Sequence, residues 1–115
     1  MAINLAIFLG GGVGALLRNL VYIGVARLGF GSWPGTLFVN VIGSLAILGL
    51  SHLIKELPES LSSFFRIGLL GGFTTFSTLA FDAFIFFKEG DYFQGSLVIF
   101  LNIFFGIVVG VALFK

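Results

Sequence analysis

The sequence has no cysteine, a single histidine and little charge, with Asp, Glu, Lys and Arg making up 10% of its 115 residues. Without cysteine there is no disulfide, no thiolate nucleophile and no cysteine-bound metal, and compartment is left open. Soluble domains carry about 25% charged residues. A soluble chain of this length has no core large enough to hide 58% hydrophobic residues from water. A formal net charge of +1 offers nothing to a nucleic acid or an acidic partner. A basic leader with a cleavage site is also missing, so the first apolar run is expected to serve as a span. These absences point to a membrane protein, and the mean hydropathy of +1.17 agrees.

Four apolar runs come near the ~20 residues that cross a hydrocarbon core. They cover about 2–26, 34–54, 64–87 and 92–114. Arg18 interrupts the first and Asp82 the third, while the second and fourth carry no charge. The connections leave no room for a soluble domain. The expected fold is therefore an all-α integral membrane protein, one four-helix domain over 1–115.

With four spans, Lys55, Arg66 and Lys115 fall on one side, and Arg18, Arg27 and Lys88 on the other. An excess of Lys and Arg ordinarily sets orientation, and this balance sets none. One outcome is an antiparallel homodimer of oppositely inserted copies, its two-fold axis in the membrane plane. The other is a single orientation fixed by weaker signals, such as the α-amino group or Trp33.

The stretch Gly71-Gly72-Phe73-Thr74-Thr75-Phe76-Ser77-Thr78 sits inside the third run. A glycine pair costs a helix about 1–2 kcal/mol relative to alanine. The hydroxyl residues that follow prefer caps and turns. The pattern predicts a break near the centre of the run. In hydrocarbon, broken backbone survives only where protein covers it or where it lines an ion or water path.

Gly10 to Gly14 offers a small-residue seam for close helix packing. Arg18 either snorkels, pairs structurally, or places a positive charge in an aqueous vestibule. Thr36, Asn40 and Ser44 share one face of the second run. Asn40 is either an interhelical clamp or an amide donor for a dehydrated anion. Thr78 and Asp82 share a face. Asp82 is expected near the end of its span, partly wet, either accepting from Ser77 or Thr78 or standing as an interfacial acid. Phe76 can turn the positive edge of its ring toward an anion. Asn102 is the strongly polar side chain inside the fourth run, where Gly106 and Gly110 form another small pair. His52 is assigned no role.

These residues resemble the Fluc (CrcB-type) family of small fluoride channels. Three motifs carry the likeness: Gly11-Gly12-Val13-Gly14-Ala15-Leu16-Leu17-Arg18, Gly35-Thr36-Leu37-Phe38-Val39-Asn40, and the Gly71–Thr78 stretch. They occur in family order and spacing, and the likeness covers nearly the whole chain. The resemblance implies a dual-topology homodimer in a bacterial plasma membrane, with two antiparallel fluoride pores; a heterodimer with a paralogue is the alternative. It implies a structural sodium ion at the dimer centre, held by the carbonyls of Gly71 and Thr74 from both copies. It places Asn40 and Phe76 in the pore with Ser77, Thr78, Asn102 and Thr36. Arg18 would stand in the vestibule and Asp82 against the polar track. Leu79 occupies a position where such proteins usually carry a second phenylalanine, Asn19 one that is often aromatic, and Gly106 one that is often polar.

Fluoride would enter acidified cells as the neutral acid, become trapped as the anion, and leave passively down the inside-negative potential. No nucleophile–base pair or catalytic metal cluster is visible, so an enzyme is not expected. Two other classes remain: a proton-coupled exporter, which needs a carboxylate at mid-membrane, and a structural subunit, which carries no flux.

Overall fold

A computed structural model describes the chain from Met1 to Lys115, and every regular element in it is helical. Helix α1 (Ala2–Arg27) is free of proline and ends where Gly29 takes a left-handed φ of 85°. Helix α2 (Trp33–Gly49) opens with Pro34 in its first turn, where the missing N–H costs nothing. Two five-residue helices follow, α3 (Ser51–Lys55) and α4 (Glu59–Ser63), with extended Pro58 between them. The chain then widens into a π-helical stretch, Phe64–Leu70, and one further turn, α5 (Gly71–Phe73). Thr74 (φ −83°, ψ 157°) and Thr75 (φ −152°, ψ 115°) are extended. Helix α6 (Phe76–Lys88) resumes the direction, and Gly90 (φ 80°) marks the turn after it. Asp91 caps α7 (Tyr92–Ile103) by accepting from the Gln94 N–H at 3.0 Å. A second π-helical stretch (Phe104–Val108) leads into α8 (Val109–Leu113).

Three segments are long and apolar enough to cross a membrane: Ala2–Arg27, Glu59–Lys88 and Tyr92–Leu113. Trp33–Gly49 is apolar and shorter, at 17 residues. The second apolar run reads as continuous to residue 54, yet regular helix stops at Gly49. Leu50 there leaves helical geometry (φ −97°, ψ 4°) before α3 begins. The long axis of the molecule is 48 Å, close to the ~40–45 Å of a bilayer with its headgroups. Only 18 of 115 residues are buried. Most large apolar side chains therefore face outward, which water would punish and lipid or a partner subunit would not.

Glycine decides how the helices meet. A Cβ on Gly14 would run into the Leu69 carbonyl, and one on Gly10 into that of Phe64. From the opposite side, a Cβ on Gly72 would stand 2.6 Å from the Gly11 carbonyl. So α1 and the π-helical stretch touch backbone to backbone. The extended residues are Thr74 and Thr75, near the centre of the third run; Gly71 and Gly72 just ahead of them are helical, and Gly72 serves contact with α1.

Candidate functional site

The extended pair Thr74-Thr75 interrupts the helical hydrogen-bond ladder, and side chains take over its partners. Asn40, from the middle of α2, donates Nδ2–H to the Thr75 carbonyl at 2.9 Å and accepts the Thr75 N–H on Oδ1 at 2.6 Å. Its Nδ2 also donates to Asn102 Oδ1 on α7 at 2.9 Å. Asn102 in turn donates to the Val98 carbonyl at 2.8 Å. The Thr75 hydroxyl caps α6 by accepting the Thr78 N–H at 3.2 Å, and lies 3.1 Å from Thr78 Oγ1 and 3.2 Å from Ser77 Oγ. Asn40, Ser77 and Thr78 thus converge on one residue, Thr75, and Asn102 joins them through Asn40.

The carbonyls this arrangement leaves out of the ladder include those of Gly71 and Thr74. In an unbroken helix the Thr75 N–H would close on the Gly71 carbonyl, and the Thr78 N–H on that of Thr74. Asn40 takes the first donor and the Thr75 hydroxyl takes the second. No three His, Asp or Glu side chains gather anywhere in the chain. A cation held here would meet backbone oxygens, the ligands a hard ion prefers.

A second polar cluster forms around Asp82, and it differs from expectation. Asp82 is buried rather than wet, and neither Ser77 nor Thr78 is its partner. Thr36 Oγ1 donates to Oδ2 at 2.7 Å, and Ser32, just ahead of α2, donates to Oδ1. Tyr22 of α1 reaches the same Thr36 hydroxyl at 2.8 Å. The face shared with Thr78 points Asp82 toward α2 because α6 packs there. Tyr22 and Ser32 are not among the residues the sequence singles out. Tyr22 had a signal, since it lies one turn after Arg18 on the face that begins with Gly10 and Gly14. Ser32 had none beyond its place ahead of Trp33-Pro34.

Between α2, α6 and α7 runs an open groove of about 650 Å³. Asn40, Ser44, Thr74, Thr75 and Asn102 form its polar part; Phe76, Leu79, Phe84 and Ile103 are among its apolar wall. Phe76 is 81% exposed, so its ring is free to meet whatever fills the groove. Leu79 is turned inward against Ala83 and Val98. Arg18 sits half-buried on α1, on the face that carries Tyr22, and does not line this groove. Gly71 is exposed and lines a smaller neighbouring cavity with Thr74.

The family described as CrcB-like protein, Camphor Resistance (CrcB), matches residues 5–113. The chain belongs to the CrcB family. It is 43% identical over 113 residues to a protein of Methylobacterium sp. (strain 4-46) named fluoride-specific ion channel FluC, covering 95% of this chain and 90% of that one. It is 38% identical over 115 residues to a protein of the same name from Methylobacterium nodulans, covering 96% and 92%. A third, from Nitrobacter winogradskyi, is 39% identical over 110 residues and covers 83% of each chain. The CrcB match spans both polar clusters and the extended threonines, so the geometry above lies wholly within the shared region.

Proposed function

We propose that this CrcB-family chain is a fluoride-selective channel that lets fluoride leave the cell passively, and that it is not an enzyme. The observation that carries the proposal is the 43% identity, over nearly its whole length, to a protein named as a fluoride-specific ion channel. The chemistry of the groove supports it. A small, strongly hydrated anion needs its water replaced by several modest donors. Hydroxyls on α2 and α6, the Asn102 amide on α7 and the Phe76 ring edge are such donors, and none carries a full positive charge that would hold the ion too long. Within this reading Asn40, Phe76, Ser77, Thr78, Asn102 and Thr36 line the pore. Arg18 belongs to the vestibule, and Asp82 orders the polar track through Thr36.

The working unit in this reading is a homodimer of oppositely inserted copies, each crossing the membrane four times. The balanced Lys and Arg count supports dual insertion. Helix α2, at 17 residues, stands at the lower end of the ~17–25 residues that span a hydrocarbon core. The exposed groove with its bare Phe76 supports a partner, since an open polar wall facing lipid is costly. A sodium ion at the dimer centre would take the released carbonyls of Gly71 and Thr74. It would supply a fixed positive charge that holds the extended threonines of two copies together; the chain's own part is to keep those carbonyls out of the helical ladder.

The test is fluoride efflux from liposomes containing the purified protein, run beside chloride and beside Phe76→Ile. Fluoride efflux that exceeds chloride and disappears in the variant is the expected result. Efflux that survives Phe76→Ile removes Phe76 from the pore. A well-folded dimer that passes no fluoride overturns the channel.

A further inference from the structure

We propose that Ser44 is an ion-coordinating hydroxyl where two cavities meet, and that the anion path continues past it toward Arg66. The inference deepens the channel reading and rests on it. Ser44 lies one turn after Asn40 on α2 and is half-buried. It lines the 650 Å³ groove and also a second cavity of about 120 Å³, whose wall includes Arg66, Gly71 and Thr74. Ser44 and Thr74 border both spaces, so the two adjoin at these residues.

A serine inside an apolar helix ordinarily gives its hydroxyl proton to a carbonyl one turn back. Thr74 does so with Leu70 at 3.0 Å, and Ser51 with Leu48 at 3.0 Å. Ser44 does not, and it takes no part in the bonds joining Asn40, Thr75 and Asn102. No buried side-chain oxygen or nitrogen in the chain lacks a partner. The Ser44 hydroxyl is therefore not sealed in protein; it opens on the cavities. Asn40, by contrast, has its amide committed to Thr75 and Asn102. Ser44 is the donor on this face of α2 that stays available to an ion. Facing it is Gly106, where an added Cβ would stand 3.4 Å from Ser44 Oγ. That wall offers no side chain of its own. Arg66 contributes the positive charge of the second cavity, which raises the local anion concentration without requiring contact.

The experiment compares fluoride efflux for wild type, Ser44→Ala, Gly106→Ser and the double variant in liposomes, with dimer integrity checked by size-exclusion chromatography. Ser44→Ala is expected to slow efflux roughly tenfold or more, the size of one lost hydrogen bond to an ion. The double variant returns a hydroxyl to the same gap from the opposite wall and is expected to recover most of the rate. Arg66→Gln is expected to slow efflux more at low salt than at high salt, and Arg66→Lys, which keeps the charge, to show a smaller salt-dependent loss than Arg66→Gln. Wild-type rates in Ser44→Ala, or a double variant as slow as the single one, overturn the role of the hydroxyl. A silent wild type would sink the channel reading itself. The path is then judged by water access: the chain has no cysteine, so the S44C thiol alone can react with silver ion. Reaction at S44C but not at V39C, a fully buried position, supports the path, and an inert S44C overturns it.

Discussion

Asn40 holds both backbone polar groups of Thr75, accepting its N–H at 2.6 Å and donating to its carbonyl at 2.9 Å. One side-chain amide thereby replaces two ladder bonds at the point where the third run opens. An interruption of this kind inside hydrocarbon is tolerable only with such a substitute.

Asn40→Ala is therefore expected to destabilise the fold as well as stop conduction. It strands the Thr75 N–H, the Thr75 carbonyl and Asn102 Oδ1, each at about 1–3 kcal/mol if buried without a partner. Thermal unfolding in detergent checks this. An Asn40→Ala protein as stable as wild type would mean that water fills the gap, and that Asn40 acts on the ion alone.

The reach of the sequence differs from residue to residue. Membrane character, helicity and the polar residues of the site are legible in composition and in the 3.6-residue period. The glycine seam on α1 is legible because small residues recur every fourth position. The extended residues Thr74 and Thr75 lie near the centre of the third run, among the hydroxyl residues that prefer turns. The glycine pair ahead of them stays helical, because propensity is weak beside packing and Gly72 meets Gly11. The partners of Asp82 were hidden for another reason. Local spacing offers Thr78, whereas Ser32 and Thr36 come from a different helix, and single-sequence periodicity says nothing about which helices become neighbours. The π-helical stretches leave no sequence signature beyond their glycines.

Asp82→Ala is expected to cost about 1–3 kcal/mol, because the hydroxyls of Ser32 and Thr36 lose a buried acceptor. Asp82→Asn keeps an acceptor oxygen for one hydroxyl and should cost less than half as much. Ser32→Ala should resemble Asp82→Asn. Comparing the three midpoints checks the cluster. Equal stability of Asp82→Ala and wild type would show that the acid acts on the ion path and not on the packing of α2 against α6.

Sodium should stabilise the protein if the Gly71 and Thr74 carbonyls receive it. A ligand at a hundred times its dissociation constant adds about 2.7 kcal/mol to the folded state. The melting temperature should thus rise with sodium chloride and not with an equal concentration of a bulky organic ammonium chloride. Thr75→Val removes the hydroxyl that keeps the Thr78 N–H off the Thr74 carbonyl. It should cost about 1 kcal/mol as a lost cap and also blunt the sodium response. Identical melting in both salts would exclude a cation at these carbonyls.

Gly14 and Gly12 make a matched pair on α1. A Cβ at Gly14 collides with the Leu69 carbonyl and would lie 2.8 Å from the Phe73 nitrogen, both of them backbone atoms that cannot rotate away. At Gly12 nothing in the chain lies within 4 Å. Gly14→Ala must therefore push α1 off the π-helical stretch, at a cost on the order of 1–3 kcal/mol for overpacking. It should also displace Tyr22, two turns further along the same face, from Thr36. Gly12→Ala should leave the monomer fold intact and raise helix propensity, by up to about 1 kcal/mol. Unfolding in detergent and fluoride efflux, measured on both variants, separate the cases. Loss of stability at Gly12→Ala would reveal that the partner copy, and not this chain, packs against that side of α1.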